Sequence, residues 1–332
     1  MTASKRVIII GAGAGGLAAA MDLSAAGSEV TVIDRAAAAG GKMRQVEADG
    51  AKINAGPTVF TMRWIFESLF ERSNADFATE LTLAPAENLA RHGWLDGSTL
   101  DLWADVERSA EAIGTFSDTH NANGYLKFCS DSKSVFETLK ETFINAQKPS
   151  PIGLGLRVGL HRVNKLWETR PMQSYWSKLE RYFSDPRLQQ LFGRYSTYVG
   201  SSPYLTPATL MLIAHVEQDG VWLVDGGMHA VARAMQRAAE RNGATIRFGE
   251  TVQSITVKNG AARGVTLGSG EYLESDAVVF NGDSAALAAG KLGEGADSAT
   301  RPTPPKKRSR GAIHGPKSRD KSKNPVASSV VA

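Results

Sequence analysis

The feature that most constrains this chain is its glycine-rich beginning. The apolar run Val7–Ile10 leads directly into Gly11-Ala-Gly13-Ala-Gly15-Gly16, and Glu29–Asp34 is a second apolar run that ends in an acid. This pattern predicts a buried strand, a tight turn, a helix and a second strand. In that order, and with an acid at the end of the second strand, these elements are the fingerprint of a dinucleotide-binding unit.

Each position of the fingerprint has its own physical role. Gly11 allows the sharp turn off the strand, and the missing side chain at Gly13 lets a pyrophosphate approach the backbone. Gly16 lets the helix pack closely on the strand, and the helix N-terminus offers free N–H groups to phosphates. Asp34 is placed to accept hydrogen bonds from both hydroxyls of a ribose. A glycine turn without a ligand is the alternative, and the surrounding strand, helix and acid argue against it.

The residues after the second strand favour a flavin over a nicotinamide dinucleotide. A nicotinamide-binding domain would continue into another helix and strand, but this chain continues with Arg35, four alanines and the doublet Gly40-Gly41. The doublet lets the backbone lie close to a cofactor, with Lys42 or Arg44 near a phosphate, although a flexible loop would have the same composition. Gly56-Pro57-Thr58 then forms a second tight turn rich in N–H groups.

Together these pieces resemble the flavin-dependent amine oxidase and carotenoid desaturase superfamily, in which all of them line FAD. Four further segments narrow the resemblance to the bacterial carotenoid desaturases, and among them to the 1-hydroxycarotenoid 3,4-desaturases. These segments are Ala55–Trp64, Ser201–Tyr204, Pro207–Glu217 and Trp222–His229. The resemblance covers residues 5–296, and one departure is Asn54, where related sequences more often carry an acid.

The resemblance implies an α/β fold, with a Rossmann-like FAD-binding domain of this superfamily and an inserted α+β substrate domain. It assigns residues 1–75 and 223–296 to the FAD-binding domain and residues 76–222 to a substrate and membrane-facing domain. The residues implied to bind FAD are Gly11, Gly13, Gly16, Asp34, Arg35, Gly41, Lys42, Gly56, Pro57, Thr58 and Val252. Val252 would pack its backbone against the adenine.

Turn signals locate the strands that follow the fingerprint. Asp96-Gly97 predicts a hairpin between Leu89–Trp94 and Thr99–Trp103, with Leu81–Leu83 as a further strand of the same antiparallel sheet. The segment from Asp105 to Leu191 is helical in pattern. Nearer the end, the pattern predicts a helix over Ala230–Asn242, a hairpin turn at Asn259-Gly260, and strands at Thr245–Phe248, Val252–Val257, Ala262–Leu267 and Tyr272–Phe280.

An aromatic and aliphatic region follows the helical segment. Tyr195, Tyr198 and Tyr204 precede the apolar run Leu210–Ala214, and such side chains could line a tunnel for a rigid polyene or simply fill a core. The sequence identifies no catalytic residue with certainty. The nearest candidates for a carboxylate at the substrate end are Glu217 and Asp225.

Charge is distributed unevenly. The chain has a net charge of +4, but residues 297–332 contain nine Lys or Arg and two Asp, so the remainder has a net charge of −3. This basic tail is poor in large apolar residues and is predicted to be disordered. The acidic remainder carries no nucleic-acid-binding signature. There is no metal-ligand spacing, and the single cysteine, Cys129, excludes an internal disulfide and suits a cytoplasmic location.

Membrane contact is expected at the surface of the bilayer. No stretch reaches the length of about 20 apolar residues that spans a membrane. The apolar segment Pro149–Arg157, with Arg162 and Lys165 nearby, could dip into a membrane surface or pack on the protein body. We therefore expect a cytoplasmic protein peripherally associated with the inner, photosynthetic membrane, and the sequence does not determine its oligomeric state.

The activity implied by the resemblance is FAD-dependent 3,4-dehydrogenation of an acyclic hydroxycarotenoid in carotenoid biosynthesis. Two alternatives stay open at the level of sequence. The first is another flavin oxidoreductase of the superfamily, such as a phytoene-type desaturase or an amine oxidase. The second is an inactive relic, because the resemblance stops soon after Arg301–Ser309 and members of the family continue further.

Overall fold

A computed structural model describes residues 4–140, 144, 173–293, 296 and 330–331. The strands are β1 (Arg6–Ile10), β2 (Glu29–Asp34), β3 (Gln45–Ala48), β4 (Ala51–Asn54), β5 (Leu83–Pro85), β6 (Asn88–Gly93), β7 (Thr99–Trp103), β8 (Trp222–Val224), β9 (Thr245–Phe248), β10 (Val252–Lys258), β11 (Ala261–Leu267), β12 (Tyr272–Glu274), β13 (Ala277–Phe280) and β14 (Val330–Val331). The helices are α1 (Ala14–Ala25), α2 (Arg63–Arg72), α3 (Phe77–Glu80), α4 (Val106–Phe116), α5 (Thr119–Leu139), α6 (Tyr175–Leu179), α7 (Pro186–Gly193), α8 (Leu212–Gln218), α9 (Met228–Arg241) and α10 (Ser284–Ala288). Short 3₁₀ helices cover Arg194–Val199 and Ala208–Met211.

The described residues form two compact units. The first unit combines the chain up to Ala84 with the chain from Trp222 onward. The second unit contains the described residues between Pro85 and Val221, together with β14. Each unit has a hydrophobic core of its own.

The first unit is built on a parallel sheet with the strand order β13-β1-β2-β9. Alternate residues of β1 enter different cores: Val7 and Ile9 pack with α1 and α9 on one face, and Ile8 packs with the β10–β11 layer on the other. Both faces of this sheet are covered, which is why the central strand β1 and its neighbour β13 consist almost entirely of apolar residues. The predicted strand–turn–helix–strand order at the start of the chain is confirmed.

The late strands of the first unit confirm the predicted Asn259-Gly260 hairpin, since β10 and β11 pair around this turn. The prediction of one strand over Tyr272–Phe280 is wrong, because the segment divides between two sheets. β12 continues the antiparallel layer, and β13 joins the parallel sheet beside β1. The break is fixed by Asp276, whose N–H donates to the carbonyl of Arg6 at 2.8 Å and whose carboxylate accepts from the N–H of Arg6 at 2.9 Å.

Two further elements of the first unit differ from expectation. β3 and β4 form a hairpin that the sequence analysis missed, although Asp49-Gly50 at its turn, with φ of 50° and 77°, is a strong hairpin signal. The strand expected at Leu81–Leu83 is observed as β5, two residues later. It pairs with β8 and not with the β6–β7 hairpin, so that part of the predicted antiparallel sheet is wrong.

The second unit confirms the hairpin between β6 and β7, with Gly97 at a φ of 82° in its turn. Its helices surround a core rich in aromatic rings, among which Phe183 and Phe192 stack with ring centroids 4.8 Å apart. None of the helices in the described residues combines the length and the apolar character needed to cross a bilayer. The segment Pro149–Arg157, with Arg162 and Lys165, and the basic tail apart from β14 lie outside the described residues.

Candidate functional site

A cleft opens in the first unit at the carboxyl ends of its parallel strands. Its volume is about 920 Å³, within the range of about 300–1,000 Å³ that ligand pockets usually have. Gly11 and Asp34 line it where β1 and β2 end, Val252 lines it where β10 begins, and Asn281 lines it after β13. In open parallel sheets this edge is where ligands bind.

The glycine turn is shaped by close backbone contacts. Gly11 has a φ of 103°, which residues with a side chain rarely adopt, and its N–H donates to the carbonyl of Ile33 at 2.8 Å. A Cβ at Gly16 would collide with the carbonyl of Gly11, so only glycine lets α1 begin this close to β1. A Cβ at Gly13 would point toward the amide of Asn281, 3.2 Å away.

Helix α1 begins without a side-chain cap. Its N-cap is Gly13, and no side chain accepts from the first turn. The N–H groups of a first helical turn have no partner within the helix, and the helix dipole places partial positive charge there. This end of α1 is therefore suited to an anion such as a phosphate.

Asp34 both braces the glycine turn and lines the cleft. One carboxylate oxygen accepts from the N–H of Ala12 at 2.7 Å, and the other accepts from the N–H of Ala36 at 2.8 Å. A carboxylate oxygen has two lone-pair directions, so each oxygen keeps capacity for a ligand hydroxyl. The predicted ribose contact is compatible with this geometry and adds to a structural role that the sequence analysis did not foresee.

The glycine doublet lies directly against the glycine turn. The N–H of Gly40 donates to the carbonyl of Ala12 at 2.8 Å, and a Cβ on Gly41 would come within 3.1 Å of the Cα of Gly13. Gly40 and Gly41 have φ values of 122° and 58°, in the left-handed region that glycine tolerates. Beside the doublet, Arg35 and Lys42 line the cleft and bring positive charge to it.

The Gly-Pro turn contacts the loop that follows the glycine doublet and does not itself line the cleft. Gly56, Pro57 and Thr58 are exposed and are not among the residues that line the cleft. A Cβ on Gly56 would collide with the carbonyl of Lys42, and the N–H of Ala55 donates to the carbonyl of Arg44 at 2.8 Å. In this structure the turn therefore positions the loop after the glycine doublet.

Several lining residues were not predicted from the sequence, among them Asn281, His229 and Glu250. Asn281 donates from Nδ2 to the carbonyl of Gly11 at 3.3 Å, so it packs over the glycine turn from the far end of the chain. His229 and Glu250 line the same cleft from α9 and from the loop before β10. The polar residues Asn281, directly after β13, and Glu250, shortly after β9, were the available signal, because the carboxyl ends of parallel strands meet at one edge of the sheet.

The candidate carboxylates are in different surroundings. In the second unit, Glu217 accepts from the guanidinium of Arg194 at 3.0 Å, from the hydroxyl of Tyr195 at 2.7 Å and from the hydroxyl of Tyr198 at 3.1 Å. Burial raises the pKa of the Tyr195 phenol well above its usual value, and the charge of Glu217 raises it further. Asp225, in the first unit, is exposed.

The residues of the cleft fit an elongated dinucleotide such as FAD. Gly11 and Gly41 line the cleft without side chains, the N-terminus of α1 has no side-chain cap, and Asp34 lines the cleft with acceptor capacity left for a ribose hydroxyl. The described residues contain no group of three or more His, Cys, Asp or Glu side chains placed to hold a metal ion.

Comparison with known proteins agrees with this reading of the cleft. Residues 14–315 match the family of flavin containing amine oxidoreductases. The chain is 47% identical over 311 residues to the hydroxyneurosporene desaturase of Rubrivivax gelatinosus, covering 93% of this chain and 59% of the relative. It is 41% identical to the hydroxyneurosporene desaturase of Cereibacter sphaeroides, covering 89% of this chain and again 59% of the relative. The chain thus spans about three fifths of the length of these relatives.

Solved structures agree on the fold. A putrescine oxidase bound to putrescine superposes with a TM-score of 0.55 at 18% identity, covering 84% of this chain and 58% of that protein. An oxidoreductase from Methanosarcina mazei gives a TM-score of 0.54 at 18% identity, covering 87% and 61%. The predicted Rossmann-like α/β fold is thereby confirmed.

Proposed function

This chain belongs to the flavin containing amine oxidoreductase family, and from that premise we propose that it is an FAD-dependent oxidoreductase that desaturates a carotenoid. The family confirms the flavin cofactor that the sequence predicted. One observation carries the proposal: a glycine-lined cleft occurs in a chain that is 40–47% identical to three proteins named hydroxyneurosporene desaturase.

In this proposal the residues of the cleft bind and orient the cofactor. The glycine turn and the N-terminus of α1 hold the pyrophosphate, and Asp34 holds the adenosine ribose. Arg35 and Lys42 balance phosphate charge, and the backbone of Val252 packs on the adenine. When bound, FAD supplies the acceptor for the hydrogens removed from the substrate, while the protein supplies orientation and a dry environment.

The proposed substrate is an acyclic hydroxycarotenoid, dehydrogenated at its 3,4 bond. The names of the relatives and the resemblance of Ser201–Tyr204 and Pro207–Glu217 to that family support this choice. A carbon beside a conjugated polyene releases hydrogen readily because the polyene delocalises the charge left behind. A strong acid–base pair is therefore not required, and Glu217 and Asp225 stay candidates for carboxylates near the substrate end.

The proposal extends to domain roles and location. Residues 1–75 and 223–296 bind FAD, and residues 76–222 accept the carotenoid. Because such an apolar substrate resides in the bilayer, we place the protein at the cytoplasmic surface of the membrane, in peripheral contact with it.

Flavin binding is the first test. The purified chain should retain stoichiometric flavin or take it up from added FAD. Gly13→Ala, which places a methyl group against the Asn281 amide and disturbs the glycine turn that would hold the pyrophosphate, should weaken FAD binding at least about 10-fold. Gly93→Ala is the matched control, because a Cβ there meets open space. A folded wild-type chain that does not bind FAD would contradict the proposal.

Pigment conversion is the second test. The chain is expressed in cells that accumulate only an acyclic hydroxycarotenoid, and pigments are analysed by absorption and mass. We expect a product with two fewer hydrogens and absorption at longer wavelength, because the conjugated system is extended. A flavin-loaded chain that leaves the pigment unchanged would indicate flavin binding without desaturation.

A further inference from the structure

His229 is a buried titratable side chain of the cleft that takes no part in the proposed contacts to the pyrophosphate and the adenosine. It lies in the first turn of α9, is 9% exposed and lines the cleft. A polar side chain buried to this extent usually has each polar atom satisfied. The partners of its ring nitrogens therefore indicate what it is placed to do.

One ring nitrogen of His229 is held by the backbone of the loop that follows the glycine doublet. Its Nδ1 lies 2.9 Å from the carbonyl oxygen of Met43. A carbonyl can only accept a hydrogen bond, so Nδ1 carries the proton, and in that imidazole tautomer Nε2 is an acceptor. Within the part of the chain that the structure describes, no group hydrogen-bonds to this Nε2.

The backbone of His229, like its ring, is held by a hydrogen bond to another part of the first unit. Its N–H donates to Oδ1 of Asn54 at 3.3 Å, so the Asn54 side chain caps the first turn of α9. The N-cap, Gly227, has a φ of 75°, and a Cβ there would collide with the amide of Asn54. An acceptor held by three elements and facing a cleft is a preorganised contact for a ligand donor.

The route of the chain indicates which part of an elongated ligand His229 would meet. From Asp34 the chain passes the glycine doublet, which lies on the glycine turn, and only then reaches Met43. A cofactor with its adenosine at Asp34 and its pyrophosphate at the turn therefore continues toward the Met43 side. That continuation is the riboflavin half, whose ribityl hydroxyls and ring N–H are hydrogen-bond donors.

We propose that His229 binds the riboflavin half of FAD by accepting a hydrogen bond at Nε2, with Met43 and Asn54 as the groups that position it. This inference rests on the proposed function. It assigns to α9, an element outside the dinucleotide fingerprint, a direct part in distinguishing FAD from its ADP half.

Two substitutions of His229 distinguish ligand binding at Nε2 from the hydrogen bond that Nδ1 donates to Met43. In His229→Asn the amide nitrogen takes the place of Nδ1 and keeps the donation to Met43, but nothing replaces Nε2. In His229→Gln the amide oxygen reaches the place of Nε2, but the donor to Met43 is lost. The dissociation constants of FAD and of ADP are measured for both variants and the wild type by calorimetry, with thermal unfolding as the control for folding.

We expect His229→Asn to weaken FAD binding about 10-fold, the value of one hydrogen bond, and to leave ADP binding unchanged. His229→Gln should bind FAD more tightly than His229→Asn. If His229 only braces Met43, the order reverses, with Asn like wild type and Gln weaker for both ligands, and the proposal is overturned. Equal losses for FAD and ADP would overturn the assignment to the riboflavin half.

The same measurements distinguish failure of the proposed function from failure of the proposed role of His229. A wild-type chain that binds neither FAD nor ADP contradicts the proposed function itself. A wild-type chain that binds FAD, with both variants equal to it, contradicts only the role of His229.

Discussion

The packing of α1 on α9 in the first unit differs from the packing around the aromatic core of the second unit, although Phe60 and Phe70 also bury rings in the first unit. In the first unit, α1 and α9 bring together small residues such as Ala20, Ala234 and Ala238, all fully buried. In the second unit, fully buried rings such as Phe128 and Phe183 occupy the core. Small side chains let backbones approach each other and a ligand closely, whereas large rings fill volume and keep backbones apart.

The contrast extends to buried polar groups. In the first unit, the polar groups around the open cleft are mostly backbone N–H and C=O groups, whose positions depend on the glycine turns. In the second unit they are side chains: Arg194 and Glu217 form a partly buried ion pair, and the buried Tyr195 donates a hydrogen bond to Glu217. Burial disfavours the charged guanidinium, but Tyr195 and Glu217 outweigh this and raise the pKa of Arg194. The first unit is therefore sensitive to added volume and the second to removed charge.

The largest effect on stability is expected when the carboxylate of Glu217 is removed. Glu217→Ala leaves the partly buried guanidinium of Arg194 without its carboxylate partner, and should lower the free energy of unfolding of the second unit by about 3 kcal/mol, the lower end of the range for a buried pair. Chemical denaturation followed by tryptophan fluorescence measures it. Asp101→Asn, which breaks the exposed ion pair with Arg91, is the matched control and should have a much smaller effect. Equal effects of the two variants would show that burial of the Arg194–Glu217 pair is energetically unimportant.

The second-largest effect on stability is expected when side-chain volume is added to the first unit. Gly16→Ala forces α1 away from the carbonyl of Gly11 and should destabilise the protein by about 2–3 kcal/mol, with loss of FAD binding. Gly114→Ala in α4 is the counterpart in the second unit, where the nearest atom to a new Cβ is Cβ of Ala122 at 3.5 Å. That variant should be neutral or more stable by up to about 1 kcal/mol, because alanine favours the helix. If both variants had the same effect, close backbone packing would not distinguish the units.

The smallest effect depends on pH and concerns His92 of the second unit. Burial lowers the pKa of His92 to about 4, with the charge of Arg194 adding to the shift and that of Asp101 opposing it. Between the unfolded value near 6.5 and the folded value near 4, the unfolded state binds more protons. Stability should therefore fall as the pH falls through this window, by about 2 kcal/mol at pH 5.

His92→Phe removes this dependence. The variant keeps a ring next to Trp94, whose centroid lies 6.3 Å from that of His92, and eliminates Nε2, a buried atom without a hydrogen-bond partner in the described residues. Denaturation curves at pH 7 and pH 5 for wild type and variant provide the measurement. A wild type that loses no more stability than the variant on acidification would show that His92 is not held neutral by burial.

Much of the first unit could be predicted because its information is local. The glycine turn, α1 and the acid at Asp34 lie within one short segment, and their spacing allows few other conformations. The hairpins at Asp96-Gly97 and Asn259-Gly260 are local for the same reason. The predicted strand over Tyr272–Phe280 failed because a non-local pair, Asp276 with Arg6, divides it between two sheets.

The sequence by itself determined that this protein has a dinucleotide-binding fold, because backbone conformation at glycines and apolar periodicity are properties of neighbouring residues. Only the tertiary structure decided which side chains meet. Asn281 packs over Gly11, His229 is held by Met43, Gly56 supports the loop at Lys42, and Glu217 is bound by Arg194. Each of these contacts joins residues distant in the chain, and such contacts depend on how whole elements pack and not on any local pattern.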